Sequence, residues 1–195
     1  DEVRLQNKEL VKCDTILVSD TSILGSDMPS ITTGLRGLAY WQIEVTAANR
    51  DLHSGIFGGA VANPITELTK LLATLIDADG RITIPHFYDD VQEVSATERE
   101  LIAQIPFDEE AYKSNLNVKH LRGEKGYSTI ERTGIRPAMD ICGIWGGYTG
   151  EGSKTVLPSK AFAKLSARLV PNQKYDVIAE LVSHYLKKNA PEYID

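Results

Sequence analysis

The chain is poor in the residues that most often declare a function. Its only cysteines are Cys13 and Cys142, and neither belongs to a C-x-x-C pair. That spacing argues against a disulfide framework or a cysteine-built zinc knuckle. The expectation for both is a reduced, buried thiol, Cys142 because it lies in an apolar run. The four histidines, at 53, 86, 120 and 184, are scattered, with no H-E-x-x-H or H-x-D pattern. A catalytic zinc centre takes three protein ligands, so this chain does not spell one alone. No stretch approaches the roughly 18–20 consecutive apolar residues of a membrane span. Basic residues are outnumbered, 21 against 27 acidic ones, for a net charge of −6. The electrostatic case for nucleic acid or an acidic membrane surface is therefore missing. There are no internal repeats and no low-complexity tract.

What is present is enough to build a core: 195 residues, 42% of them hydrophobic. The first residue is Asp1, and the chain closes on P-E-Y-I-D, which reads as the start of a strand. Both ends read as cut, so a segment of a longer protein is expected.

Periodicity sets the elements. A modest helical pattern covers residues 3–11, and Thr15–Val18 is a short apolar run ending at Asp20. Residues 21–36 are loop-like. Residues 38–46 alternate as a half-buried strand, with Trp41, Ile43 and Val45 opposing Tyr40, Gln42 and Glu44. Asn63-Pro64 supplies a cap and a first-turn proline for a helix whose apolar face is Ile65, Leu68, Leu71, Leu72 and Leu75. The D-A-D-G run at 77–80 ends it. Residues 77–137 read as an insertion, with short helices near 97–104 and 108–114 and a polar loop after them. Residues 138–145 and 160–169 read as strands, and 175–188 as a helix with Lys187 and Lys188 where its dipole favours them. Without the insertion the order is β-α-β-β-α. An α+β fold follows: a split β-α-β layout, with an antiparallel sheet carrying both helices on one face and its last strand missing.

Four positions stand out chemically. Asp20 ends an apolar strand, where acids line sites in α/β folds and also cap turns. His53 lies in N-R-D-L-H-S-G-I-F-G-G (49–59), a bare turn-like stretch. Glycines 55, 58 and 59 there suit a tight turn better than a phosphate cradle, since no Lys-Ser/Thr follows them. Arg168 shares a strand face with Lys164 and Ser166, where a guanidinium fork suits a carboxylate or a surface ion pair. Thr155 follows a flexible glycine-rich loop, and nothing local says what that loop binds.

The ordered set of pieces resembles one family along essentially the whole chain. The pieces include L-V-S-D-T-S (17–22), T-T-G-L-R-G (32–37), D-L-H-S-G-I-F-G-G-A-V-A-N-P (51–64), G-E-K-G-Y-S-T-I-E-R (123–132), G-S-K-T-V-L-P (152–158) and A-R-L-V-P-N-Q (167–173). They resemble the central part of zinc metallopeptidases of the aminoacylase, carnosinase and acetylornithine deacetylase type. The insertion is most similar to the carnosinase-type dipeptidase branch. The resemblance implies a lid and dimerisation domain over 37–195, with a ferredoxin-like sheet. Residues 1–36 would then belong to an otherwise absent catalytic domain and its linker. It implies two zinc ions in the parent, whose activated water attacks an amide carbonyl, and a small peptide substrate. It implies Asp20 as a zinc ligand, Thr155 and Arg168 as substrate contacts, and Arg168 as the group that binds a carboxylate. His53 would reach across a homodimer to help hold the oxyanion. The isolated chain is expected to be inactive, and low cysteine use fits a cytoplasmic parent. Two rivals remain: a non-catalytic oligomerisation or peptide-binding module of the same fold, and a self-contained hydrolase using Asp51, His53 and Ser54.

Overall fold

Strict alternation in Lys160–Leu169 produces the central strand of the sheet. Ala161, Ala163, Leu165, Ala167 and Leu169 face one way and are almost entirely buried. In the computed structural model, which describes residues 5–17 and 27–195, the elements of residues 36–195 are five strands and six helices. The strands are β1 (Gly37–Thr46), β2 (Leu52–His53), β3 (Ala138–Gly146), β4 (Val156–Leu157) and β5 (Lys160–Leu169). The helices are α1 (Ser54–Phe57), α2 (Pro64–Ala73), α3 (Ala96–Ala103), α4 (Glu109–Leu116), α5 (Thr129–Gly134) and α6 (Tyr175–Asn189). One antiparallel sheet runs in the order β1-β5-β3, and β2 pairs with β4 in a second, two-stranded ladder.

The two long helices, α2 and α6, pack on the sheet's buried face. α2 starts where Asn63 Oδ1 accepts the Ile65 N–H at 2.9 Å, with Pro64 in its first turn. Leu68, Leu71 and Leu72 then meet the β5 alanines, whose small side chains let helix and sheet approach closely. α6 contributes Ile178, Val182 and Leu186. Ile82, Ile84 and Phe87 join the same core, so the front of the expected insertion is part of the main packing. At the outer edge of β1, Thr46 and Asp195 exchange both backbone hydrogen bonds, at 2.7 and 2.9 Å, as an antiparallel pair does.

Two sequence expectations are corrected here. Both cysteines are exposed. The register of β3 against β5 shifts between Ile141 and Gly143, so Cys142 is the unpaired residue of a bulge on an edge strand. An apolar run on such an edge is not a buried run. The expected 15–18 strand falls partly outside the described residues. Thr15–Leu17 form no strand among those described, and Ile16 and Leu17 are exposed. Asp1–Leu35 and Arg36–Asp195 are two separate compact units.

α5 was read as polar loop, although its start carries a full capping box: Ser128 and Glu131 each accept the other's backbone N–H. Arg99 Nε also donates to Glu131 at 2.6 Å. That bond lowers the Glu131 pKa from 4.5 to about 2; burial opposes the shift, and the Ser128 N–H and hydroxyl reinforce it. The folded value lies below the unfolded one. The contribution is therefore complete above about pH 4.5 and fades as the pH falls toward 2. We expect Glu131→Gln to cost about 2–3 kcal/mol at pH 7 and little at pH 2.5. Urea midpoints at the two pH values check this, and an equal loss at both would contradict it.

Candidate functional site

β2 and β4 are only two residues each, yet they join parts of the chain a hundred residues apart. Leu52 pairs with Leu157 and His53 with Val156. The Ser54 N–H continues the ladder by donating to the Thr155 carbonyl at 3.0 Å. Asp51 closes the other side: one carboxylate oxygen accepts both the Ser159 N–H at 2.8 Å and the Ser159 hydroxyl at 3.1 Å. The backbone bond, then the hydroxyl, then the charge of Lys154 hold the Asp51 carboxyl below its ordinary value against a small desolvation effect.

The His53 ring is defined by its neighbours. Nδ1 accepts the Gly55 N–H at 3.0 Å, making His53 the N-cap of α1. A neutral imidazole that accepts at Nδ1 carries its proton on Nε2. Nε2 lies 3.0 Å from Thr155 Oγ1, so the ring donates and the hydroxyl accepts. The ring lies directly over Gly55, where an added Cβ would sit 2.8 Å from its Cε1. Gly59 turns the chain away at φ +83°, a conformation that side chains resist. His53 and Thr155 are both exposed. The result is an exposed imidazole fixed at Nδ1 by the Gly55 N–H, with its Nε2–H resting on the Thr155 hydroxyl.

This geometry disposes of the Asp51–His53–Ser54 hydrolase. A triad needs the acid on one ring nitrogen and the nucleophile on the other. Here Asp51 is engaged by Ser159, and His53 by Gly55 and Thr155.

Arg168 is elsewhere. It pairs with Leu38 on one side and Ala138 on the other, near the end of β5. Lys160, beside β4, begins that strand. Eight residues at about 3.3 Å each separate the two ends by about 26 Å. Arg168 is exposed and makes no hydrogen bond or ion pair among the described residues, so it is not a surface salt bridge there. The structure thus brings His53 and Thr155 together and keeps Arg168 apart from both. Asp20 lies outside the described residues. Among those described, no three histidine, cysteine, aspartate or glutamate side chains converge as metal ligands. No helix among them is long and apolar enough to cross a membrane. The Asp51–Ser159 clamp was not foreseen, because nothing local marks a contact between residues 108 apart.

Fold and site together define a class: an α+β lid with a hydrogen-bonding histidine at one end and, at the other, an exposed arginine with no ion pair among the described residues. The peptidase dimerisation domain model matches residues 33–194, and the chain belongs to that family. The Cys-Gly metallodipeptidase dug1 of Schizosaccharomyces pombe is 35% identical over 181 residues, covering 93% of this chain and 38% of the relative. The Beta-Ala-His dipeptidase of Rattus norvegicus is 32% identical over 174 residues, 89% of this chain and 35% of the relative. Among solved structures, the M20 family metallo-carboxypeptidase Sso-CP2 from Sulfolobus solfataricus superposes with a TM-score of 0.80 at 35% identity, over 100% of this chain and 51% of that one. The di-peptidase Dug1p from Saccharomyces cerevisiae gives 0.78 at 33%, over 91% and 38%. The chain therefore spans from about a third to about half of the length of these relatives.

Proposed function

We propose that this chain is the lid and dimerisation segment of a homodimeric dipeptidase or amidohydrolase that uses two zinc ions. Residues 1–36 would belong to the parent's catalytic domain and the linker from it, with Asp20 as one metal ligand. The zinc ions and the water they activate are assigned to that domain. This chain supplies a hydrogen-bond donor, His53 Nε2–H, for the oxyanion that develops on the substrate carbonyl. Thr155 holds that donor in line and contacts the substrate, and Arg168 takes the substrate carboxylate. The metallodipeptidase names of the relatives support a peptide substrate. Low cysteine use supports a cytoplasmic parent.

One observation carries the trans role of His53. About 26 Å of β5 separates the His53 end from Arg168, too far for both to reach one dipeptide within one protomer. Two protomers, each giving one end, remove the conflict. The test is complementation in the full-length enzyme. His53→Ala and Arg168→Gln homodimers should both be nearly inactive. Mixed and re-associated, they should recover up to about half of wild-type activity per heterodimer, because one of its two sites is then intact. If both residues act in cis, no site is intact and no activity returns.

A further inference from the structure

The solvent face of the sheet around Arg168 is more cationic than one arginine explains. Lys164, Ser166 and Arg168 alternate onto that face of β5. Leu38 sits opposite Arg168, and alternation carried past Gly37 places Arg36 on the same face, diagonal to Arg168. Asp140 lies opposite Ser166 on the other neighbour, also diagonal to Arg168.

Arg36 is fixed in place. Its Nη1 donates to the carbonyls of Arg132 and Arg136, both at 3.2 Å. Those two bonds use the Nη1 protons and leave Nε–H and both Nη2 protons without a partner among the described residues. Burial, then the charge of Arg168, push the Arg36 pKa down, while Asp140 pushes it up. Two guanidinium groups thus stand within electrostatic reach of each other. Among the described residues, Asp140 is the acid whose charge acts on Arg36. Like charges at diagonal positions on one sheet face favour an anion between them.

We infer that Arg36 is a second cation of the carboxylate site, held beside Arg168 by the Arg132 and Arg136 carbonyls, with Asp140 as the charge that opposes substrate binding. This rests on the reading of Arg168 given above. A carboxylate has about four lone-pair sites, and Arg168 alone engages two of them with its fork. The free protons of Arg36 are available for the others. Arg36 then adds affinity for a substrate ending in a free carboxylate and nothing for one that does not.

The test measures KM and kcat in the full-length enzyme for a dipeptide and for the same dipeptide with a C-terminal amide. Arg36→Gln is expected to raise the dipeptide KM about tenfold, leaving kcat and the amide KM close to wild type. Asp140→Asn is expected to lower the dipeptide KM by about twofold to fivefold, again without effect on the amide. A merely structural role would not move the two variants in opposite directions on one substrate alone. Arg168→Gln is the control for the underlying reading. If it fails to distinguish the two substrates, the carboxylate site itself is wrong and the inference falls with it. If Arg168→Gln discriminates while Asp140→Asn and Arg36→Gln change both substrates equally or not at all, Arg168 acts alone and the inference is overturned.

Discussion

Replacing Glu124 with alanine is expected to destabilise this chain by about 3–5 kcal/mol, a large part of a domain's usual margin of about 5–15 kcal/mol. Arg136 explains the size. It is 1% exposed, and its Nε and Nη2 both donate to the Glu124 carboxylate at 2.8 Å. Nη1 has no hydrogen-bond acceptor among the described residues; instead the guanidinium carbon lies 4.3 Å from the Tyr127 ring centre and 5.3 Å from that of Tyr88. Removing the carboxylate leaves a cation that can neither reach water nor lose its proton. Arg81 also binds Glu124, at 2.9 Å, but it is half exposed, and Arg81→Ala should cost no more than about 1 kcal/mol. Replacing Glu124 and Arg136 together by methionine should recover most of the loss, since the penalty comes from the orphaned charge. Urea unfolding of the three variants decides the matter. A Glu124→Ala loss below about 1 kcal/mol would mean that water reaches the guanidinium. The same cluster sets the backbone of Arg136, whose carbonyl holds Arg36, so its loss should be felt on the outer sheet face as well.

The second large effect concerns His53. In the full-length enzyme, His53→Ala is expected to lower kcat by about 10²–10³, or roughly 3–4 kcal/mol of transition-state stabilisation, with a much smaller change in KM. The split follows from where the donor points. With Nδ1 committed to the Gly55 N–H, the ring presents only Nε2–H, and Thr155 Oγ1 accepts it in the absence of substrate. An oxyanion is a better acceptor than a hydroxyl, so the bond strengthens as charge develops. The ground-state carbonyl benefits less. Steady-state kinetics at saturating substrate read this directly, and near-normal kcat would remove His53 from the reaction.

Much of this arrangement was legible in the sequence, and the reasons differ by element. β5 and α2 were legible because a buried face imposes a period of two or 3.6 over ten residues, and Asn63-Pro64 marks the helix start. α6 was legible in extent from its apolar period; Ile178, Val182 and Leu186 are buried, Leu181 and Tyr185 pack beside them, and Val177 is left 41% exposed. β2 and β4 were not legible, since two residues carry no period. α5 is six residues long, and its signal was the Ser128–Glu131 spacing rather than apolar repetition. Cys142 was misjudged because an apolar run does not reveal whether its strand lies at an edge. His53 was conspicuous through its glycines. What its ring touches depended on Thr155, a hundred residues away, and no local pattern encodes that contact.

The alanines of β5 also constrain how such a domain diverges. Ala161, Ala163 and Ala167 are fully enclosed between helix and sheet, so any larger residue there overpacks the core by about 1–3 kcal/mol. The opposite face of the same strand offers Lys164 and Arg168 to solvent, where volume is not limiting. One strand therefore combines a face closed to larger side chains with a face on which packing sets no limit on size. Packing alone leaves residue size free at 164 and 168 while the alanines beneath hold the fold unchanged.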